Sequence, residues 1–160
     1  RSTLFPYTTL FRSRDALTDQ LFIKAKRIRS LEIKKESKVG EGIRPEFIAL
    51  INYGIVGLIQ LSEGFADTVD MPNEQAMRLY DQFANEALEL MKKKNHDYDE
   101  AWRSMRVSSY TDLILTKIER IKEIEDLEER GEQLKVSEGI GSNYMDIINY
   151  AVFGVIKLSE

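Results

Sequence analysis

Thr18-Asp19-Gln20-Leu21-Phe22-Ile23-Lys24-Ala25-Lys26-Arg27-Ile28 is written a second time, 93 positions later, as Thr111-Asp112-Leu113-Ile114-Leu115-Thr116-Lys117-Ile118-Glu119-Arg120-Ile121. The correspondence resumes downstream at an offset of 97. Val39-Gly40-Glu41-Gly42-Ile43 falls on Val136-Ser137-Glu138-Gly139-Ile140, Asn52-Tyr53 on Asn149-Tyr150, Gly57 on Gly154, and Leu61-Ser62-Glu63 on Leu158-Ser159-Glu160. Self-similarity at a fixed spacing predicts one helix pair used twice. It also allows each polar residue to be compared with its counterpart.

In the first copy, Leu17, Leu21, Ile28 and Leu31 recur at helical spacing with Lys24 and Arg27 among them, which predicts an amphipathic helix over about 17–35. Its partner, 47–61, has only Asn52 and Gln60 as strongly polar residues, with Pro45 placed where a helix can begin. That run and 144–158 are shorter than the roughly 20 apolar residues of a membrane span, so both are expected to be buried core helices, with no membrane partner. Between the copies, 64–72 reads as a linker. Asn73 is positioned to cap a helix with Ala76, Leu79, Tyr80, Phe83, Ala87, Leu88 and Met91 on its apolar stripe. That helix is expected to stop near Lys92-Lys93-Lys94-Asn95, where positive charge complements the dipole. A further helix over about 109–129 and a charged loop over 128–135 lead to the last buried helix. The expected fold is all-α: tandem helical hairpins packed as a helical bundle, with repeats at about 17–63 and 94–160 joined by 64–93.

The 160 residues, 42% apolar and 31% charged, suit a single domain over 14–160. A net charge of −4 argues against broad nucleic-acid capture, which needs a basic surface. The absence of cysteine removes disulfides, thiolate chemistry and Cys-type zinc sites, and the single histidine leaves oxygen donors for any metal. Residues 3–13, Thr3-Leu4-Phe5-Pro6-Tyr7-Thr8-Thr9-Leu10-Phe11-Arg12-Ser13, resemble the in-frame translation of a DNA sequencing adapter. Native sequence is therefore expected to begin near Arg14, and 1–13 is set aside from the fold reading.

In the second buried helix, Asn143, Asp146 and Asn149 stand three residues apart, close to one helical face. The first copy has Glu46, Ala49 and Asn52 there. Polar groups in an apolar helix cost free energy unless each finds a partner, and an ionised carboxylate needs a cation. Lys117 and Arg120, one turn apart on the preceding helix, are candidates to face Asp146. A structural ion pair satisfies that arrangement. So does a site in which the cations hold phosphate and the acid holds a divalent metal. His96 reads as an exposed turn residue, Trp102 as a core anchor near Met105, and Gly57 and Gly154 as points of close helix approach.

Lys94-Asn95-His96-Asp97-Tyr98, then Lys117 and Arg120, then Val136-Ser137-Glu138-Gly139, then Asp146-Ile147-Ile148-Asn149-Tyr150 resemble the family called nucleotide modification associated domain, type 1. Its pattern runs approximately Lys-Asn-x-Asp-Tyr-Gly, Lys-x-x-Arg, Asp-Glu-Ser and Asp-x-Ala-Asn-Tyr. Asp99 stands at its Gly, Ser137 at its turn Asp and Ile148 at its Ala. The family in turn resembles MazG-type all-α nucleoside triphosphate pyrophosphohydrolases. Lys117 and Arg120, however, occupy the helix where those enzymes carry a Glu-x-x-Glu pair, and only Asp146 maps onto a MazG-type metal ligand.

The resemblance implies a cytoplasmic nucleotide-binding protein, a possible nucleoside triphosphate pyrophosphohydrolase-like enzyme, with a nucleotide or nucleotide-derived small molecule as partner and a possible homodimer. Asp146 and Glu138 would be catalytic, and Asp146, Glu138 and Asp97 would hold Mg²⁺. Asp97, Tyr98, Lys117, Arg120 and Asn149 would bind substrate. The alternative is a non-catalytic scaffold or oligomerisation module with a buried charge network.

Overall fold

The structure, a computed structural model, describes residues 11, 13–34, 39–64, 71–132 and 139–160. Among the described residues five α-helices follow in order: α1 (Arg14–Lys34), α2 (Val39–Glu63), α3 (Asn73–Tyr98), α4 (Val107–Glu129) and α5 (Ile140–Leu158), with a 3₁₀ turn at Ala101–Ser104 before α4. The described residues contain no strand. The fold is all-α, as the periodicity predicts.

α1, α2, α5 and α4 form a four-helix bundle in which every neighbouring pair runs antiparallel. Leu17 lies against Gly57 and Leu31 against Gly42, which sets α1 along α2. Gly54 meets Ile148 and Gly57 meets Tyr144, which sets α2 along α5. Thr18 contacts Glu125 and Glu32 contacts Thr111, which sets α1 along α4. The core is what the spacing implies: Leu17, Leu21, Ala25 and Ile28 from α1 and Ile114, Ile118, Ile121 and Ile124 from α4 are all buried, facing Phe47, Leu50, Tyr144 and Ile147. α3 lies outside the ring of four, packed on α2 and α5.

Two contacts between the hairpins come in pairs. Thr18 with Glu125 answers Thr111 with Glu32. Gly57 against Tyr144 answers Gly154 against Phe47. α3 is fastened to the corresponding asparagine of each hairpin: Tyr80 Oη donates to Asn52 Oδ1 at 2.7 Å, and Asn149 Nδ2 donates to the Ala87 carbonyl at 3.0 Å.

Five expectations need correction. α2 begins at Val39, so Pro45 lies inside it. Pro removes one N–H donor, yet its fixed φ is already helical and the loss falls near the start of a 25-residue helix. With that extension, Gly42–Glu63 becomes 22 residues long and, by length and composition alone, apolar enough to cross a bilayer. Here its Phe47, Leu50, Ile55 and Ile59 are enclosed by the bundle. The start of α3 is capped by the backbone of Pro72 with no side-chain bond, and Asn73 is already helical. α3 also runs through its lysines to Tyr98, because Asp99 and Glu100, both at positive φ, supply the break. Leu88 is 40% exposed, turned off the expected stripe.

The segment set aside as adapter-like contributes Phe11, whose ring stands edge-on to Tyr53 at 5.8 Å. Gln60 Nε2 donates to the Phe11 carbonyl at 2.7 Å, and the Phe11 amide donates to Gln60 Oε1 at 3.1 Å.

Candidate functional site: a lysine-carboxylate cluster on an aromatic cavity

A cavity of about 330 Å³ opens where the C-terminal end of α3, the 3₁₀ turn, α4 and α5 meet. Its polar side is Lys94, Lys117, Asp146 and Asn149, and its apolar side is Trp102, Tyr150, Phe153 and the two methionines Met91 and Met105.

Asp146 is 5% exposed in the middle of α5. Desolvating a carboxylate is costly unless cations and hydrogen bonds compensate. Two ammonium groups do so, with Lys94 Nζ 2.7 Å from Oδ1 and Lys117 Nζ 3.0 Å from Oδ2. Lys117 comes from the facing helix of the hairpin, as the spacing predicts. Lys94 comes from α3, the helix outside the ring of four. The Lys94 side chain remains 47% exposed, so the cluster is enclosed at the carboxylate and half-exposed along one of its lysines.

The other candidates divide. Tyr98 lines the cavity and is 70% exposed. Asn149 lines it too, but spends its amide N–H on Ala87, so it fastens α3 to α5. Asp97 faces solvent beside the exposed His96, its Oδ1 3.5 Å from Nδ1, and is not among the cavity residues. Arg120, one turn beyond Lys117, has no ion pair among the described residues and does not reach the cavity. Glu138 lies outside the described residues. Asn143 turns back on its own helix, its Nδ2 donating to the Gly139 carbonyl at 2.9 Å.

Trp102, read from sequence as a core anchor, serves both purposes. It is 8% exposed and stacks on Phe153, with centroids 4.3 Å apart and planes 6° from parallel, while also forming part of the cavity wall. The Arg103 guanidinium covers it at 4.6 Å, and Tyr110 Oη donates to its carbonyl oxygen. Sequence reading missed Lys94 as a partner of Asp146. The signal was its place at the head of the Lys94-Asn95-His96-Asp97-Tyr98 block.

The first hairpin carries a variant of the cluster. Glu46 takes the place of Asn143, and its oxygens lie 3.3 Å from Lys24 Nζ and 3.0 Å from Arg27 Nε. Ala49 stands at the Asp146 position. Each hairpin thus holds one carboxylate against its cations, moved by one helical turn.

The described residues do not fit a resident Mg²⁺. Asp146 is the sole described carboxylate on the cavity, and each of its oxygens already faces an ammonium group within 3.0 Å. No described group of three acidic or histidine side chains converges to hold a metal. Mg²⁺ prefers one or two carboxylates plus phosphate and water oxygens, and two adjacent cations oppose it.

Neither a curated protein nor a solved structure matches the chain. The family described as nucleotide modification associated domain 1 matches it over residues 8–61 and 94–158. Those two stretches include Lys94, Lys117 and Asp146 and cover most of the 160 residues, so the chain belongs to the nucleotide modification associated domain 1 family, which associates it with nucleotide modification.

Proposed function

We propose that this protein binds a nucleotide in the cavity between α3, α4 and α5. The observation that carries the reading is the juxtaposition of two lysines, held in place by one buried carboxylate, with a wall of Trp102, Tyr150 and Phe153. Ammonium groups attract phosphate as point charges. Aromatic side chains offer a base a stacking surface worth about 1–3 kcal/mol. Pockets of this kind, mostly apolar with a few converging polar groups, are the usual small-molecule sites. Asp146 prepays the ordering of the lysines, which a ligand would otherwise have to impose.

Hydrolysis of the MazG type, with Asp146, Glu138 and Asp97 around Mg²⁺, finds no support in the placement of Asp146 and Asp97. The scaffold reading draws support from the near-complete enclosure of Asp146 and the pairing of both its oxygens. The half-exposed Lys94 side chain and the adjoining cavity favour a ligand over a scaffold.

Calorimetric titration of deoxynucleotides into the full chain separates the two. Binding should weaken at least tenfold in Lys117→Met and in Trp102→Leu, with the helical circular-dichroism signal retained. Equal affinity in both folded variants would refute a nucleotide at this cavity.

A further inference from the structure

Resting on that nucleotide reading, we infer that the ligand is a nucleoside monophosphate taken up without a divalent ion, and that Asp146 is a positioning residue for the two lysines.

Charge gives the first argument. The described cavity residues carry two ammonium groups and one carboxylate, a single net positive charge. A phosphomonoester brings about −1.5 to −2 at pH 7, which this set nearly balances. A triphosphate brings roughly twice that. Its surplus is ordinarily met by Mg²⁺, and the described cavity offers no second carboxylate to anchor one.

Size and donor geometry point the same way. At about 330 Å³ the cavity is at the small end of the range of roughly 300–1,000 Å³ for ligand sites, room for a base and sugar with one phosphate at the mouth. Lys117 is 21% exposed, and Asp146 is its only partner among the described residues. An ammonium group has three N–H donors. Lys117 can therefore keep its bond to Asp146 while donating to a phosphate oxygen, and the carboxylate stays paired throughout. Asp146 then touches no ligand atom. Its charge opposes the phosphate even as it aims the lysines.

That opposition yields a test a metal ligand would fail. The full chain is titrated with the four deoxynucleoside monophosphates and the matching triphosphates, in EDTA and then with excess Mg²⁺, for the wild type, Asp146→Asn and Lys94→Ala. The expected result is a monophosphate bound in EDTA at least tenfold more tightly than any triphosphate with Mg²⁺. Asp146→Asn, whose one amide oxygen can still hold one of the two lysines, should bind it two- to tenfold more weakly, and Lys94→Ala, altered at a half-exposed side chain, at least fivefold more weakly. Preference for the Mg²⁺–triphosphate, dependence on Mg²⁺, or a loss beyond tenfold in folded Asp146→Asn would overturn the inference while leaving a nucleotide site standing. Binding of no nucleotide by the wild type would remove the nucleotide reading and this inference with it.

Discussion

Gly154 lies against the ring of Phe47 so closely that a Cβ there would stand 2.8 Å from both Cε2 and Cζ, and Gly57 repeats the relationship with Tyr144, at 2.7 Å from Cε2 and 2.8 Å from Cζ. Both rings are fully buried, so neither can swing aside into solvent. Two glycines thus let α2 and α5 approach at two points, each filled by the aromatic of the other helix.

Gly→Ala in a helix gains about 1 kcal/mol of propensity, but here overpacking of about 1–3 kcal/mol opposes it. Gly57→Ala and Gly154→Ala should each lower stability in urea titration. Phe47→Leu, by shortening the ring that Gly154 faces, should make Gly154→Ala less costly in the double variant than in the wild type. Additive losses would show that the Phe47 contact is not the cause.

Thr18 Oγ1 lies 2.9 Å from the Arg14 carbonyl oxygen and 2.8 Å from Glu125 Oε2. One hydroxyl proton cannot serve both fully. Burial pushes the Glu125 carboxyl above its ordinary range, and burial does the same to Glu32 opposite Thr111. The folded state therefore holds protons more tightly than the unfolded chain. This contribution to stability is full below the unfolded value of about 4.5 and is lost as pH rises through the higher folded value. Glu32→Gln and Glu125→Gln should raise the urea midpoint at pH 7 and match the wild type near pH 4. Equal differences at both pH values would contradict the assignment.

Asp99 and Glu100 both adopt left-handed backbone, with φ of 53° and 54°. The family pattern places Gly at position 99, and the break after Tyr98 gives the reason: a side chain there is strained, and less so for Asp than for Glu. Glu100→Gly should stabilise by up to about 1 kcal/mol, and Asp99→Gly by less, since glycine also frees the unfolded chain. Thermal melts of the two variants check both sign and order.

Rebuilding the first hairpin's arrangement in the second, by Asn143→Glu with Asp146→Ala, moves the carboxylate one turn back toward Arg120, as Glu46 stands toward Arg27 at 3.0 Å. Asp146→Ala alone should cost about 2 kcal/mol, less than the 3–5 kcal/mol of a fully enclosed pair, because Lys94 can turn into water. The double variant should recover part of that loss. Its nucleotide affinity should fall, because the lysines would no longer be aimed at the cavity. Recovery of stability together with unchanged binding would separate the cluster from the ligand.

Part of the site was legible before any coordinates. Asp146 announced itself as an acid in an apolar helix, and Lys117 as a cation one hairpin away. Arg120 carried the same sequence signal as Lys117 and proved different, because one turn along α4 moves a side chain off the level of Asp146. Asn149 looked like a ligand group, but its amide serves the Ala87 carbonyl of α3. Lys94 looked like the end of a dipole because nothing local shows that α3 continues to Tyr98.

The sequence by itself determined that the chain is helical, most of the buried faces of α1, α2, α4 and α5, and the pairing within each hairpin, since a 3.6-residue period and a short connection are local properties of the chain. Only the tertiary structure decided which cations meet Asp146 and where a cavity remains. Both depend on how α3 crosses α5 and how far α4 is rotated toward it, and spacing along one helix shows which residues share a face but not what that face meets.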